Sequence, residues 1–108
     1  MEVVARRFGV YLVRLDPTVG SEVAKTRPCV VISPDEMNRH LNTVMIAPMT
    51  STRKRYPSRV ACRFSDKSGE IVLDQIRTAD QSRLLKSLGD LDKSTASTLV
   101  RRLLELFA

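Results

Sequence analysis

Residues 29–49, CVVISPDEMNRHLNTVMIAPM, contain two almost wholly apolar runs separated by a short polar segment. The runs CVVIS (29–33) and TVMIAPM (43–49) are rich in strand-forming residues and short enough to be strands. Because a strand buried on both faces needs no polar alternation, we expect both runs at the centre of a sheet. The intervening PDEMNRH (34–40) predicts a helical turn with Pro34 at its first helical position.

Three further runs extend this sheet, and most of them are bounded by turn-forming residues. They are VYLVRL (10–15), SRVACRF (58–64) and GEIVL (69–73). In the second run, apolar residues alternate with Arg59, Ala61 and Arg63, which predicts a half-exposed strand with both arginines on the solvent face. The pattern as a whole predicts an antiparallel, β-rich core.

The C-terminal segment changes to a helical period. Its apolar residues recur on one helical face, and Asp92 is well placed as the N-cap. The residues on that face are Ala96, Leu99, Val100, Leu103, Leu104 and Phe107. A shorter helical turn is predicted at DQSRLLKS (80–87). We therefore expect a β-rich α+β fold, a small barrel or strongly curved antiparallel sheet with a C-terminal helix packed on it.

The composition is typical of one compact domain. The 108 residues are 43% hydrophobic and contain no repeat, which predicts a single ordered domain over 1–108. No apolar run approaches the ~20 residues that span a bilayer, and the N-terminus lacks the apolar core of a signal peptide. We therefore expect a cytoplasmic protein without membrane contact. Cys29 and Cys62 are expected to be reduced core residues, and His40 has no metal-ligand spacing to either.

The positive charge is unevenly distributed. The net charge is +6, and no acidic residue occurs between Thr43 and Ser65. That stretch contains the cations Arg53, Lys54, Arg55, Arg59 and Arg63. Such a segment suits a polyanion such as nucleic acid, because lysine and arginine contacts to phosphate supply most nonspecific affinity. A basic surface that serves only solubility is an equally good interpretation.

Arg27 stands directly before Pro28, at the start of the first central run. A residue before proline is restricted to extended backbone, so Arg27 is expected to project from a stiff strand entrance. This is a suitable position for a charge that binds a ligand. The alternative is a solvated charge in an ordinary surface loop.

Several of these segments, taken in order, resemble the MazF/PemK toxins of bacterial toxin–antitoxin modules. The matching pieces are GVYLV (9–13), LDPTVGSE (15–22), Arg27-Pro28, Thr50-Ser51, LDQIRTAD (73–80) and RLLKSLGDL (83–91). The resemblance implies an SH3-like barrel with a C-terminal helix, assembled as a homodimer. It also implies an endoribonuclease that cleaves single-stranded RNA at short sequences, needs no metal ion or cofactor, and is silenced by a cognate antitoxin.

The resemblance implies four catalytic residues. Attack of a ribose 2′-hydroxyl on the adjacent phosphate requires stabilisation of the phosphorane charge and proton transfer at two oxygens. Arg27 would stabilise charge and serve as an acid, and Thr50 would orient the phosphate or the hydroxyl. Glu22 is a candidate base, and Asp74 matches the acid of the PemK scheme. That scheme is incomplete here, because Ser21 and Val72 stand where PemK members have histidine and arginine.

Two of these residues have a plainer interpretation. Thr50 could simply end a strand and hydrogen-bond its own turn, and Glu22 could be a solvated loop charge.

RNA-binding residues are expected in three segments. Tyr56, within the basic segment RKRYPSR (53–59), is the stacking candidate, and Gln75 could bind a base edge. Arg77 could bind RNA, although a structural ion pair with Asp74 or Asp80 is the favoured interpretation. The full set is Ser21, Lys25, Ser51, Thr52, Arg53, Lys54, Arg55, Tyr56, Gln75 and Arg77.

The partners follow from the resemblance and from charge. A homodimer would carry about twelve net positive charges, twice +6, so we expect an acidic, partly disordered antitoxin segment to bind beside Arg27 and residues 50–59. Two alternatives remain at this point. CcdB toxins share this fold and poison DNA gyrase, and a basic SH3-like module could bind RNA without cleaving it.

Overall fold

The computed structural model describes residues 5–15, 19–22 and 25–108, so residues 16–18 of the LDPTVGSE segment lie outside the described residues. The described residues form seven strands, two α-helices and two 3-10 turns. The strands are β1 (Gly9–Arg14), β2 (Thr26–Val31), β3 (Thr43–Thr50), β4 (Arg59–Phe64), β5 (Lys67–Val72), β6 (Arg77–Asp80) and β7 (Leu84–Asp90). The helices are α1 (Asp35–His40) and α2 (Lys93–Leu106), and the 3-10 turns are Leu73–Gln75 and Gln81–Arg83.

The strands form one curled antiparallel sheet in the order β4-β5-β3-β2-β1-β7, with β6 paired to β3. β3 causes the curl, because different parts of it have different partners. Its first half pairs with β6, its middle with β2, and its last two residues, Met49 and Thr50, with β5. The curved antiparallel sheet with a C-terminal helix that the sequence predicts is thereby confirmed.

The two central strands bury both faces. In β2, Val30 belongs to one apolar cluster, whereas Cys29 and Val31 belong to a second. In β3, Ala47 belongs to the first cluster and Ile46 to the second. This double burial explains the two apolar runs without polar alternation. Helix α2 covers the first cluster with Ala96 and Leu99.

Helix α2 begins as predicted, since the Asp92 side chain accepts a hydrogen bond from the Thr95 backbone N–H at 3.1 Å. The sheet covers only part of the apolar face of this helix. Leu104 and Phe107 are 69% and 76% exposed and border an apolar groove of about 570 Å³. In the part of the chain that the structure describes, neither helix has the length and apolar character to cross a membrane.

Two local predictions were wrong. The segment 80–87 is a 3-10 turn only over Gln81–Arg83, and from Leu84 it becomes β7, which pairs with β1. The free edge of β1 gains a hydrogen-bonded partner in this way, which outweighs a local helical preference. Pro34 is the N-cap of α1 rather than its first helical residue.

Candidate functional site

Arg27 and Thr50 lie on adjacent strands at the same end of the sheet. β2 and β3 pair from Val31–Ile46 to Cys29–Pro48, and Arg27 and Thr50 each lie two residues beyond the last of these pairs on their own strand. Arg27 is the second residue of β2, and Thr50 is the last residue of β3. The predicted extended backbone at Arg27 is confirmed, so its guanidinium projects from a strand rather than from a loop.

A cleft of about 350 Å³ lies beside this pair and is called here the Arg27–Thr50 cleft. Its apolar lining is formed by Pro28, Met49, Cys62, Phe64 and Leu88. Its polar lining comes from Arg27, Thr50, Ser51, Ser65, Lys67 and Ser68. The last three belong to the turn between β4 and β5 and to β5 itself. Sequence reasoning did not identify them, because only the pairing of β5 with β3 brings that turn to the cleft.

The Thr50 hydroxyl has a defined orientation. Its Oγ1 accepts a hydrogen bond from the Thr52 backbone N–H at 3.2 Å, which is the turn contact that the plainer interpretation expects. Because a hydroxyl can accept and donate at once, its proton remains available to a ligand in the cleft. The local contact and a role in ligand binding are therefore compatible.

Gly69 sets the position of Thr50. A methyl group built on Gly69 would overlap the carbonyl oxygen of Thr50, so glycine at this position allows β5 to approach the end of β3.

Gly69→Ala is expected to lower the free energy of unfolding by about 1–3 kcal/mol, because the backbone at Thr50 must move. Urea denaturation measures this loss. Ser87→Ala, on the exposed part of β7, is the matched control, and an equal loss in both variants would contradict the packing argument.

Glu22 and Asp74 lie in a neighbouring pocket of about 250 Å³, called here the Asp74 pocket. Its other lining residues are Pro48, Gln75, Ile76 and Arg77. Pro48 and Thr50 are two residues apart on the same face of β3, about 6.6 Å along a strand. The structure thus brings Arg27 and Thr50 to one cleft and the two candidate carboxylates to the pocket next to it.

Asp74 is engaged by basic and hydroxyl side chains. Its carboxylate accepts hydrogen bonds from Arg59 Nε at 3.2 Å and from Ser58 Oγ at 3.0 Å. Partial burial raises the pKa of Asp74, but these hydrogen bonds outweigh that effect and hold the pKa below its usual value. Asp74 is therefore ionised at neutral pH and is a weak proton donor. Glu22 is exposed and accepts a hydrogen bond from the Val19 backbone N–H at 2.8 Å.

Residues 52–56, called here the basic loop, are held by a carboxylate that sequence reasoning missed. Glu70 is only 2% exposed and accepts hydrogen bonds from the backbone N–H groups of Lys54 and Arg55, both at 2.9 Å. It also accepts one from Arg53 Nε at 3.3 Å. The one available signal in the sequence was an acidic residue within the otherwise apolar run GEIVL (69–73).

Arg59 does not lie on the solvent face as predicted. Its side chain is 11% exposed and forms ion pairs with Asp74 and, at 3.7 Å, with Glu70. The two carboxylates supply the partners that a buried guanidinium requires. Its guanidinium carbon also lies 5.0 Å from the centroid of the Tyr56 ring. Arg63, on the same strand, is exposed as predicted.

The remaining predicted RNA-binding residues differ in their surroundings. Arg77 donates to the Leu15 carbonyl oxygen at 2.9 Å, while Asp80 accepts from the Ser82 backbone N–H, so the predicted pairing of Arg77 with Asp74 or Asp80 was wrong. Ser21 and Lys25 are exposed in the segment before β2. The Lys25 carbonyl oxygen accepts a hydrogen bond from Leu15. The exposed positions in and beside the basic loop are Ser51, Thr52, Arg53, Lys54, Arg55 and Tyr56.

The two cysteines are free thiols with different environments. Cys29 is fully buried, and burial raises its pKa to about 12. Cys62 is only partly buried, because it borders the Arg27–Thr50 cleft, so its assignment as a core residue was only partly correct. Among residues 5–15, 19–22 and 25–108, no group of three His, Cys, Asp or Glu side chains is arranged to bind a metal ion.

Comparison with known proteins identifies relatives for this fold and site. Residues 6–107 match the family described as PemK-like, MazF-like toxin of type II toxin–antitoxin system. The chain is 39% identical over 89 residues to endoribonuclease MazF of Staphylococcus saprophyticus, covering 77% of this chain and 74% of that protein. It is 38% identical over 95 residues to endoribonuclease MazF of Staphylococcus epidermidis, covering 82% and 79%.

Solved structures give the same result. MazF from Deinococcus radiodurans superimposes with a TM-score of 0.85 at 25% identity, covering 98% of both chains. A mycobacterial endoribonuclease in complex with its cognate antitoxin superimposes with a TM-score of 0.81 at 26% identity, covering 95% of this chain and 94% of that one. The match over nearly the whole chain, together with the curated relatives, means that this protein belongs to the PemK-like, MazF-like family of type II toxin–antitoxin toxins.

Proposed function

We propose that this toxin is an endoribonuclease that cleaves single-stranded RNA at the Arg27–Thr50 cleft, at short recognition sequences and without a metal ion or cofactor. The names of its curated relatives support RNA cleavage. The observation that carries the assignment of the site is the lining of the Arg27–Thr50 cleft, to which β2 contributes Arg27 and the adjacent β3 contributes Thr50.

The nucleophile in this proposal is the ribose 2′-hydroxyl of the RNA itself. Attack on the adjacent phosphorus forms a bond to the 2′-oxygen and breaks the bond to the 5′-oxygen. The leaving 5′-oxygen takes a proton from the Arg27 guanidinium, which regains it from solvent, and the products are a 2′,3′-cyclic phosphate and a 5′-hydroxyl. The guanidinium of Arg27 offers paired N–H donors to the phosphate oxygens, where charge develops during the attack. The Thr50 hydroxyl donates a hydrogen bond to a phosphate oxygen and so orients the phosphate.

The carboxylates have separate roles. Glu22, exposed and in the pocket next to the cleft, is the proposed base that removes the 2′-hydroxyl proton. Asp74 is held by Arg59 and Ser58, and its lowered pKa suits a group that remains ionised. We therefore assign Asp74 to ordering Arg59 and the Asp74 pocket, with Gln75 and Arg77 lining the path of the RNA beyond the scissile phosphate.

The RNA track continues along the basic loop. Lys54 and Arg55 have exposed side chains that suit phosphate contacts. Tyr56 is half-exposed, with Arg59 near its ring, and stacks on a base. Ser51, Thr52 and Arg53 connect this loop to the cleft, and Ser21 and Lys25 contact the RNA from the segment before β2.

The protein partners in this proposal are a second copy of the chain and an acidic antitoxin. The groove beside Leu104 and Phe107 supports association, because exposed apolar patches mark protein interfaces. The excess of positive charge supports an acidic antitoxin segment that covers Arg27 and the basic loop, in competition with RNA. The proposed compartment is the cytoplasm.

Incubation with a long defined RNA in EDTA, followed by mapping of the new ends, tests the function. We expect cleavage at one repeated short sequence, with 5′-hydroxyl ends, because neither the nucleophile nor the proposed residues require a metal ion. Cleavage that stops in EDTA and returns with Mg²⁺ would contradict the proposed chemistry. Intact RNA combined with inhibited gyrase supercoiling would contradict the function itself and favour gyrase poisoning.

A further inference from the structure

We propose that Glu70 is the positioning residue of the RNA-binding surface: it holds the basic loop in the conformation that presents Lys54 and Arg55 to RNA phosphates before RNA arrives. This inference rests on the proposed function, because it concerns how the same enzyme binds its substrate. Glu70 itself does not contact RNA, since its side chain is 2% exposed.

Both carboxylate oxygens of Glu70 are used to hold the loop. Oε1 accepts from the Lys54 backbone N–H at 2.9 Å, and Oε2 accepts from the Arg55 backbone N–H at 2.9 Å. Arg53 Nε donates to Oε2 at 3.3 Å. Because the carboxylate binds the backbone of residues 54 and 55, their cationic side chains remain directed to solvent, where both are exposed.

The loop has a backbone conformation that needs such support. Arg55 has a φ of 59°, in the left-handed region, which is unfavourable for a residue with a Cβ atom. Strained conformations of this kind persist where surrounding contacts determine them. The hydrogen bond from Arg55 to Glu70 is one such contact. Without it, the loop would lose this conformation and would have to be ordered when RNA binds.

The charge of Glu70 is retained at neutral pH. Burial raises the pKa of Glu70, but the backbone hydrogen bonds from Lys54 and Arg55 and the contact with Arg53 outweigh it, and the pKa lies below its usual value. The carboxylate is therefore a permanent acceptor for the loop. It also carries a negative charge close to a surface that binds a polyanion.

Because of that charge, the direction in which RNA affinity changes on substitution of Glu70 tests the inference. If Glu70 acted on RNA only through its charge, Glu70→Gln would strengthen RNA binding, because it removes a repulsive charge. If Glu70 positions the loop, Glu70→Gln weakens RNA binding. Each carboxylate oxygen accepts from one backbone N–H, and glutamine replaces one of these two oxygens with an NH₂ group that cannot accept. The matched control is Asp66→Asn, which removes one negative charge from the nearby exposed turn between β4 and β5. Asparagine also tolerates the positive φ of 62° at that position.

The experiment measures the dissociation constant of a fluorescein-labelled RNA that contains the mapped cleavage sequence. All binding measurements are made in the Arg27→Ala background, which slows cleavage, and the labelled RNA carries a 2′-deoxyribose immediately 5′ of the scissile phosphate, which removes the nucleophile. We expect Glu70→Gln to raise the dissociation constant about tenfold, equivalent to about 1.4 kcal/mol of loop ordering, whereas Asp66→Asn leaves it unchanged or lowers it. With Arg27 restored, Glu70→Gln should raise KM and leave kcat at saturating RNA nearly unchanged.

A double-mutant cycle separates positioning from a general loss of structure. In a Lys54→Ser, Arg55→Ser background, Glu70→Gln should have little further effect on RNA affinity, because the side chains that it positions are gone. Equal effects of Glu70→Gln in both backgrounds would overturn the inference. RNA binding that is as tight with Glu70→Gln as with Glu70 would also overturn the inference. Cleavage of RNA by the Glu70→Gln variant would, in that case, leave the proposed function intact.

Hydrogen exchange provides a measurement that does not depend on folding of the variant. The backbone amides of Lys54 and Arg55 donate to a buried carboxylate and should exchange more slowly than that of exposed Ser51 in the free, unsubstituted protein. Equal exchange at all three amides would overturn the inference even if the protein cleaves RNA. Failure of the unsubstituted protein to bind and cleave RNA would instead overturn the proposed function and, with it, the role assigned to Glu70.

Discussion

Replacing Arg27 with alanine is expected to slow cleavage at saturating RNA by ~10²–10³-fold, with little change in the fold. The guanidinium donors are proposed to stabilise charge that appears on the phosphate oxygens only during the attack. An interaction of that kind contributes to kcat rather than to binding alone. Single-turnover cleavage measures the effect, with circular dichroism as the folding control.

Two control variants sharpen this expectation. Arg27→Lys keeps a positive charge but loses the planar pair of donors, so it should recover only part of the rate. Lys54→Ala should weaken RNA binding with a smaller effect at saturating RNA, because a phosphate contact outside the cleft is the same before and during the reaction. Cleavage by Arg27→Ala at the unsubstituted rate would show that Arg27 is an ordinary surface charge and would contradict its catalytic assignment.

Several features of the fold could be predicted from local patterns. The apolar runs that became β2 and β3 are buried on both faces, and each was recognisable because it lacks alternation. Pro28 predicted the extended backbone at Arg27, and Asp92 predicted the start of α2. These features depend on the chemistry of a few neighbouring residues, which the sequence contains in full.

β7 and the partial exposure of α2 could not be predicted in the same way. Leu84–Asp90 is a strand because the edge of β1 is available to it, and that edge exists only in the folded sheet. The apolar face of α2 extends to Phe107, but the sheet ends before it covers that residue. Local periodicity describes a face of a helix and does not indicate how much of that face is covered.

The same distinction between local and long-range features applies to the residues of the candidate site. Arg27 and Thr50 were proposed together from the family resemblance, and the pairing of β2 with β3 brings both residues to the lining of one cleft. Glu70 and the cleft residues Ser65, Lys67 and Ser68 were missed, because their positions depend on the pairing of β4 with β5 and of β5 with β3. Such contacts between distant segments have no local signature.

The most direct test of the central claim, that the RNA supplies its own nucleophile at the Arg27–Thr50 cleft, is cleavage of an RNA with a single 2′-deoxyribose. The substitution is placed at the nucleotide immediately 5′ of the mapped scissile phosphate. A control RNA carries it at the next nucleotide toward the 3′ end. We expect the first RNA to bind with nearly unchanged affinity but to remain uncut at that position, whereas the control RNA is cleaved. Cleavage of both RNAs at the same rate would contradict the account, because a different nucleophile would then attack the phosphate.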